Sequence, residues 1–246
     1  DAVVLTRDYN AFHKKSPYLA NHPRIRFHIG DICDFKFPEG KFSHIIHAAA
    51  ETRTKLHDKN PILMLDSIIK GTKRTLDFAV SCKAKKFLLI SSGAVYGKQP
   101  SQISYIPENY NGAPVPSSST STYGIGKRIS EHICGLYSKK HNLDVKIARC
   151  FAFVGPYLPL DIHYAIGNFI QDGIKGGPIV IKGDGTPYRS YLYAADLTIW
   201  LWTILFQGKT CSPYNVGSSK DLTISELANY VASNFYPHPQ VKISNP

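Results

Sequence analysis

The strongest constraint on this chain is the way the spacing of its apolar residues changes along its length. Short apolar or β-branched runs alternate with long stretches whose apolar residues recur every three or four positions. Residues 3–6, 24–29 and 43–47 read as strands, and the latter two lead into Gly30-Asp31 and Ala48-Ala49-Ala50. Phe87-Leu88-Leu89-Ile90 is apolar throughout, as expected for a strand with helices on both faces of a parallel sheet. Residues 145–148 predict another strand. A helix is predicted over about 61–80, with Pro61 in its first turn and Ile62, Leu65, Ile69, Leu76 and Val80 on a helical period. A second is predicted over about 122–140, with Ile125, Ile129, Ile133 and Leu136 on one stripe. The hydroxyl-rich run 117–122 before it reads as a loop that supplies an N-cap. This β-α alternation predicts an α/β fold, a doubly wound parallel sheet.

Composition removes several other classes. Of 246 residues, 43% are apolar and 19% charged, a balance that buries a core rather than staying disordered. The longest mainly apolar stretch, 199–206, interrupted by Thr203, is far shorter than the roughly 20 residues that span a bilayer, and the opening Asp1-Ala2-Val3-Val4 lacks the basic start of a secretory signal. Trp200 and Trp202 fall in that run and are expected in the core. Cys33, Cys82, Cys134, Cys150 and Cys211 are widely spaced, with no C-x-x-C pair. They suggest neither a zinc site nor a disulfide framework, and Cys150 reads as a buried thiol. A cytoplasmic setting fits best. The net charge is +11, from 29 basic and 18 acidic side chains. Such an excess suits nucleic acid, an anionic membrane surface or a small anionic ligand. The basic residues are dispersed in short clusters such as Lys14-Lys15, Lys83-Lys85-Lys86 and Lys139-Lys140, which read as solvated surface. No nucleic-acid or membrane partner is expected.

Folds of this kind place a glycine-rich turn after the first strand, where a helix N-terminus receives a pyrophosphate. No such glycine pattern precedes Val3, and position 1 reads as the lead into a second strand. Roughly 20 to 30 residues are therefore expected to be absent upstream.

The chemistry centres on Ser92, Tyr123 and Lys127. Tyr123-Gly124-Ile125-Gly126-Lys127 is a Y-x-x-x-K, and positions four apart share a helix face. An ammonium beside a phenol favours the phenolate, and such a tyrosine can exchange a proton with a sugar hydroxyl during hydride transfer. Ser92 follows the strand 87–90, at the end where open α/β sheets bind ligands. Fifteen tyrosines give roughly one Y-x-x-x-K by chance, so the motif gains weight from its context. It opens a predicted helix one step after a strand that ends in Ser91-Ser92.

With these motifs, the chain resembles an extended short-chain dehydrogenase/reductase of the nucleotide-sugar epimerase/dehydratase group. The resemblance runs over nearly all of the sequence. It rests on Gly30-Asp31-Ile32, on His47-Ala48-Ala49-Ala50 and on Gly71-Thr72. It rests further on Ser91-Ser92-Gly93-Ala94-Val95-Tyr96-Gly97, on the segment 149–156, on Gly183-Asp184-Gly185 through Arg189 to Asp196, and on Tyr214-Asn215-Val216-Gly217. It implies NAD or NADP bound by Thr6, Arg7, Asp31, Ile32, His47, Ala48, Ala49, Tyr123 and Lys127. It implies a nucleoside-diphosphate sugar held by Ser92, Arg189 and the position of Ala152, with Arg189 on the diphosphate. No metal is expected. The implied homodimer forms through the two long helices, and the implied setting is the supply of bacterial surface-polysaccharide precursors.

Three departures shape the expected activity. Dehydratases of the family carry an acidic pair after the catalytic Thr or Ser, and decarboxylases keep an acid two residues after it. Here those positions are Gly93 and Ala94. The resemblance then implies epimerisation or keto reduction at C4, with 4,6-dehydration or decarboxylation as the alternative within the family. A non-catalytic dinucleotide sensor or scaffold is the alternative of another class. Ala152 stands where the family has asparagine, and Ile68 stands where an asparagine usually precedes Gly71. Leu5-Thr6-Arg7 lacks the acid that meets the ribose in NAD users, and Arg7 suits a 2′-phosphate, so NADP is preferred. Expected domains are 1–158, dinucleotide-binding and incomplete at its start, and 159–246. The second is mainly substrate-binding, interleaved with the last dinucleotide-fold elements near 196–217 and clipped at its end. His163 and Tyr164 are expected in a loop near the substrate side.

Overall fold

The structure, a computed structural model, describes residues 1–49, 60–161 and 164–244. The alternation predicted above is present. Strand β1 (Ala2–Thr6) pairs in parallel with β2 (Ile25–Ile29), Thr6 opposite Ile29. Two short helices, α1 (Tyr9–Lys15) and α2 (Pro17–Ala20), connect them. The Asp8 carboxylate accepts a hydrogen bond from the Ala11 N–H at 3.0 Å and so caps α1. Tyr9 and Phe12 then meet the Phe27 ring edge-on, each at 5.0 Å. Strand β3 (His44–His47) pairs in parallel with β4 (Lys86–Ser92). Helix α3 (Pro61–Ser81) lies between them in the chain, capped by the Asn60 side chain on the Leu63 N–H with Pro61 at its first position. Helix α4 (Thr122–His141) and β5 (Asp144–Cys150) follow.

The remaining elements are β6 (Phe153–Val154), α5 (Ala165–Ile174), β7 (Ile179–Ile181), β8 (Tyr188–Ser190), β9 (Leu192–Tyr193), α6 (Ala194–Gln207), β10 (Pro213–Val216), β11 (Asp221–Thr223), α7 (Ile224–Ala232) and β12 (Val241–Ile243). The central sheet has the order β10-β5-β4-β3. Among the described residues, β1 and β2 form a separate two-stranded sheet.

The described chain divides into two compact units. The first comprises 1–49, 60–149 and 202–215, the second 150–161, 164–201 and 216–244. In the first, Phe35, Leu76, Phe78, Phe87, Leu89, Val145 and Ile147 form one buried cluster. Each such side chain stabilises the fold by about 1.5–3 kcal/mol relative to exposure. In the second, α5 and α7 cover Ile179 and Ile181 of β7, with Ile166, Phe169, Leu227 and Val231 in the contact. Helix α7 opens with a capping box. Thr223 Oγ accepts from the Glu226 N–H, and the Glu226 carboxylate accepts from the Thr223 N–H.

Four expectations about packing are corrected. On α3 the predicted stripe is not the buried one. Of its members only Leu76 is buried, and Ile62 is exposed; Met64, Ile68, Gly71, Thr72, Thr75, Phe78 and Ala79 face inward instead. On α4 the buried positions are Gly124, Gly126, Lys127, Ser130 and Cys134, whereas Leu136 is exposed. The reason is close packing by small groups. A Cβ at Gly126 would lie 3.2–3.4 Å from Ile68, and one at Gly71 would lie 3.1 Å from Ile32. Counting large apolar residues misses a seam built from glycine and hydroxyls. The position that held asparagine in the resemblance, Ile68, is part of that seam.

The hydroxyl-rich loop is not a side-chain cap either. Residues Ser119–Ser121 form a short 3-10 turn, Ser121 makes no capping bond, and the Thr122 hydroxyl donates to the Ser119 carbonyl at 2.7 Å. Finally, Trp200 and Trp202 are 42% and 48% exposed, and α6 buries Ile204 and Leu205. Residues 199–206, apolar except for Thr203, have no apolar period that selects a buried face. Cys150 is buried as expected, and the five cysteines are unbridged.

Candidate functional site

The first unit gathers its polar residues at the carboxyl ends of its strands. Strand β4 ends at Ser92, whose hydroxyl accepts from the Ala94 N–H at 3.1 Å and starts a 3-10 turn over Gly93–Tyr96. That turn packs directly on the first turn of α4. A Cβ at Gly124 would lie 2.5 Å from the Ala94 carbonyl oxygen and 2.8 Å from the Pro114 ring, so only glycine allows this approach. Its neighbour Tyr123 is thereby held next to the segment that follows Ser92.

Lys127, one helical turn on, is 3% exposed. Its Nζ donates to the Ile90 carbonyl of β4 at 2.8 Å and lies 5.8 Å from the centre of the Tyr123 ring. A buried ammonium is costly unless its donors are used. Here it is fixed by the strand that carries Ser92 and directed at the tyrosine. The structure thus brings Tyr123 and Lys127 together and ties both to the end of β4.

His47 ends β3 and is also 3% exposed. Its Nε2 lies 3.2 Å from Thr72 Oγ1, which donates to the Ile68 carbonyl and contacts Ser130 Oγ at 2.9 Å. Its Nδ1 is buried without a hydrogen-bond partner. Burial, reinforced by the Lys127 charge, lowers its pKa to about 3, so the ring is neutral near pH 7. Ala48 and Ala49, next in the chain, are exposed. The companion residue Ala50 lies outside the described residues.

At the ends of β1 and β2, the Gly30 N–H donates to the Thr6 carbonyl at 3.0 Å. Arg7 and Asp31 face each other at 3.8 Å, and the Asp31 carboxylate also accepts from the Cys33 N–H at 2.9 Å. Ile32 packs against Gly71 of α3. The donor set suits a dinucleotide. Thr6, Arg7 and Asp31 offer a hydroxyl, a guanidinium and a carboxylate at the strand ends, and His47 and Lys127 supply buried polar groups.

A second polar cluster escaped the sequence reading. Glu131, one turn beyond Lys127, accepts from the Ser91 hydroxyl at 2.5 Å and from Arg149 at 2.7 and 3.0 Å. Arg149 donates further to the Tyr96 hydroxyl at 2.8 Å, and Tyr96 donates to Asn215 at 2.7 Å. Burial opposes the charge on Arg149, but its bonds to Glu131 and Tyr96 outweigh that and raise its pKa. The network ties β4, α4, β5 and β10 to one another. Arg149 and Tyr96 lay within recognised motifs, and Glu131 falls four positions after Lys127, the one available signal.

The other expected substrate residues lie in the second unit. Arg189 is exposed on β8, and its guanidinium donates to the Tyr188 carbonyl at 2.7 Å. Ala152 accepts from the Leu192 N–H at 3.0 Å through its carbonyl. Asp184 accepts from the Thr186 N–H, and Gly185 takes a positive φ of 79°. Tyr164 is exposed before α5, and His163 lies outside the described residues. No group of three metal-ligating side chains occurs among the described residues, and no helix is long and apolar enough to cross a membrane.

The first unit is thus a parallel α/β sheet with these groups at its strand ends. The model of the NAD dependent epimerase/dehydratase family matches residues 1–217, and the chain belongs to that family. It is 29% identical over 222 residues to UDP-glucuronic acid decarboxylase 5 of Arabidopsis thaliana, covering 90% of this chain and 63% of that protein. Among solved structures, UDP-glucose 4-epimerase from Thermotoga maritima with UDP-glucose superposes with a TM-score of 0.80. The two share 20% identity over 98% of this chain and 77% of the other. The dTDP-glucose 4,6-dehydratase of Streptomyces venezuelae with NAD bound gives 0.79, at 24% identity over 99% and 74%. These likenesses establish the α/β fold.

Proposed function

We propose that the protein carries out NAD(P)-dependent oxidation–reduction at C4 of a nucleoside-diphosphate sugar, ending in a C4 epimer or a reduced 4-keto sugar. The observation that carries this reading is the buried Lys127. It is held by Ile90 and directed at Tyr123, on a helix seated against the segment after Ser92.

In this reading Tyr123 takes the proton of the C4 hydroxyl and returns one in the reverse direction. The Lys127 ammonium stabilises the phenolate through its charge. Ser92 holds the same sugar oxygen, and Arg189 binds the diphosphate. Thr6, Arg7, Asp31, Ile32, His47, Ala48 and Ala49 are assigned to the cofactor, with NADP preferred through Arg7. When bound, NAD(P) supplies the two-electron partner for the C4 hydrogen. Gly93 and Ala94 offer no acid or base for elimination, which is why simple C4 chemistry is placed first. Nucleotide-sugar decarboxylation is the second reading, favoured by the relatives named UDP-glucuronic acid decarboxylase. A homodimer paired through α3 and α4 belongs to the same proposal.

The test is Tyr123→Phe. Turnover should fall by roughly 100-fold or more, while sugar-nucleotide affinity stays within about twofold of wild type. Wild-type-like turnover would refute the assignment.

A further inference from the structure

The polar network between β4 and α4 surrounds the segment that carries Ser92. Three successive residues end β4. The Ile90 carbonyl accepts from Lys127 Nζ at 2.8 Å, the Ser91 hydroxyl donates to Glu131 Oε1 at 2.5 Å, and the Ser92 hydroxyl accepts from the Ala94 N–H at 3.1 Å. Tyr123, Lys127 and Glu131 stand four apart on α4 and share one stripe of the helix. Two side chains of that stripe therefore fasten the helix to adjacent residues of the strand. This fixes the register of α4 along β4, and with it the place of Tyr123 relative to Ser92.

The same carboxylate is tied to the far end of the turn after Ser92. Arg149 of β5 meets Glu131 with two prongs, Nε on Oε1 at 3.0 Å and Nη2 on Oε2 at 2.7 Å. Its remaining nitrogen, Nη1, donates to the Tyr96 hydroxyl at 2.8 Å and to the Glu108 carbonyl at 3.1 Å. The guanidinium carbon also lies 4.7 Å from the centre of the Tyr96 ring, and the Tyr96 hydroxyl donates to Asn215 of β10 at 2.7 Å. Ser91 precedes Ser92, and Tyr96 closes the 3-10 turn that follows it. The bonds thus form a ring that runs from Ser91 through Glu131 and Arg149 to Tyr96, and back along the chain through Ser92.

The Arg149 and Glu131 side chains are only 14% and 11% exposed. A buried ion pair adds little stability over apolar residues of the same volume, because both charges lose their water. What it adds is direction, since a planar carboxylate facing a planar guanidinium admits few arrangements. Glutamate also accepts at both oxygens, as this ring requires, whereas glutamine would turn a donor toward Ser91 or Arg149.

We propose that Glu131 and Arg149 are positioning residues that clamp both ends of the turn carrying Ser92 and so set its distance from Tyr123. The consequence for turnover rests on the C4 chemistry proposed above; the clamp itself does not. Because the Ser92 hydroxyl is bonded to the turn, a shift of the turn carries the hydroxyl with it. A misplacement of about 1 Å can lower a rate by roughly 100-fold.

The test deletes one hydroxyl at a time and leaves the ion pair in place. Ser91→Ala releases one end of the turn, and Tyr96→Phe releases the other. Tyr137→Phe is the control, because it deletes a hydrogen bond near the other end of α4, from Tyr137 to Asp77 of α3. Amide hydrogen exchange of the full-length protein without substrate should be at least about tenfold faster over residues 93–97 in Ser91→Ala and Tyr96→Phe, and unchanged there in Tyr137→Phe. With UDP-, dTDP-, GDP- and CDP-glucose and NAD(P), kcat should fall roughly tenfold in each single variant and roughly 100-fold in the double variant S91A/Y96F. KM should stay within about twofold, and Tyr137→Phe should keep the wild-type kcat. Wild-type exchange over 93–97 in S91A/Y96F would overturn the proposal. So would an equal fall of kcat in Tyr137→Phe, or a loss expressed in KM alone. Faster exchange over 93–97 in a protein whose wild type converts none of these sugars would count against the C4 reading and uphold the clamp.

Discussion

At the residue scale, the account turns on a few buried polar groups. Lys127 could be named from Y-x-x-x-K, but its burial and its bond to Ile90 could not. A lysine enters the interior only where a carbonyl is already waiting, and β4 supplies that carbonyl. His47 is a second case. Its ring is buried, and its folded pKa of about 3 lies below the usual histidine value, chiefly through burial. Above about pH 6.5 both folded and unfolded states hold it neutral, and its contribution to stability is complete. As pH falls below that, the unfolded chain takes up the proton first, and stability declines until the folded pKa near 3 is reached. Urea unfolding between pH 7 and 4 should therefore show falling stability, and His47→Gln should flatten the slope; an unchanged slope would contradict this account. The proposed cofactor preference is likewise tested at a single residue. NADPH should bind more tightly than NADH in a fluorescence titration, and Arg7→Ala should remove the difference. Equal affinities in the wild type would remove Arg7 from the 2′-phosphate.

At the scale of elements, strands β1 to β5 and both long helices could be read from the sequence because the apolar spacing changes sharply between them, whereas the shorter strands β6–β12 and the other helices were not predicted. Helix α3 was expected over about 61–80 and spans Pro61–Ser81, and α4 was expected over about 122–140 and spans Thr122–His141. Their buried faces could not be read. Gly71, Thr72, Gly126 and Ser130 carry the contact, and such residues are silent in an apolar count. The helix seam makes a paired prediction. Gly124→Val must push against the Ala94 carbonyl, which is backbone and cannot turn aside. It should displace the first turn of α4 and reduce turnover by at least about tenfold, with a loss of roughly 1–3 kcal/mol in stability. Gly135 lies on the same helix with nothing near its missing Cβ. Gly135→Ala should raise stability by about 0.5–1 kcal/mol and leave turnover unchanged. Chemical denaturation of both variants measures the contrast, and equal effects would show that the seam is not where α4 is held.

At the scale of the whole molecule, the α/β class followed from the alternation of periods, and the match over residues 1–217 places the chain in its family. The Glu131–Arg149–Tyr96–Asn215 network was hidden because its members are separated by up to 119 positions, and no local pattern joins them. The exposed tryptophans were misplaced because apolar content was read as burial, whereas α6 carries a polar stripe of Asp196, Thr203 and Gln207 and its buried residues are Ile204 and Leu205. The outward apolar residues of the two long helices have a consequence for assembly. Ile62 and Leu63 of α3 and Leu136 of α4 are more than half exposed. If these faces pair, sedimentation velocity should report a dimer, and Leu136→Glu should shift it toward monomer. A wild-type monomer at micromolar concentration would end that proposal.

The central claim is oxidation–reduction at C4 driven by Tyr123. It is tested most directly by proton NMR of the full-length protein with UDP-, dTDP-, GDP- and CDP-sugars and NAD(P). The account predicts a new anomeric signal from a C4 epimer, or NAD(P)H-dependent loss of a 4-keto sugar, with both absent in Tyr123→Phe. A pentose product from a uronic acid, or a 4-keto-6-deoxy sugar, would contradict the assignment made from Gly93 and Ala94.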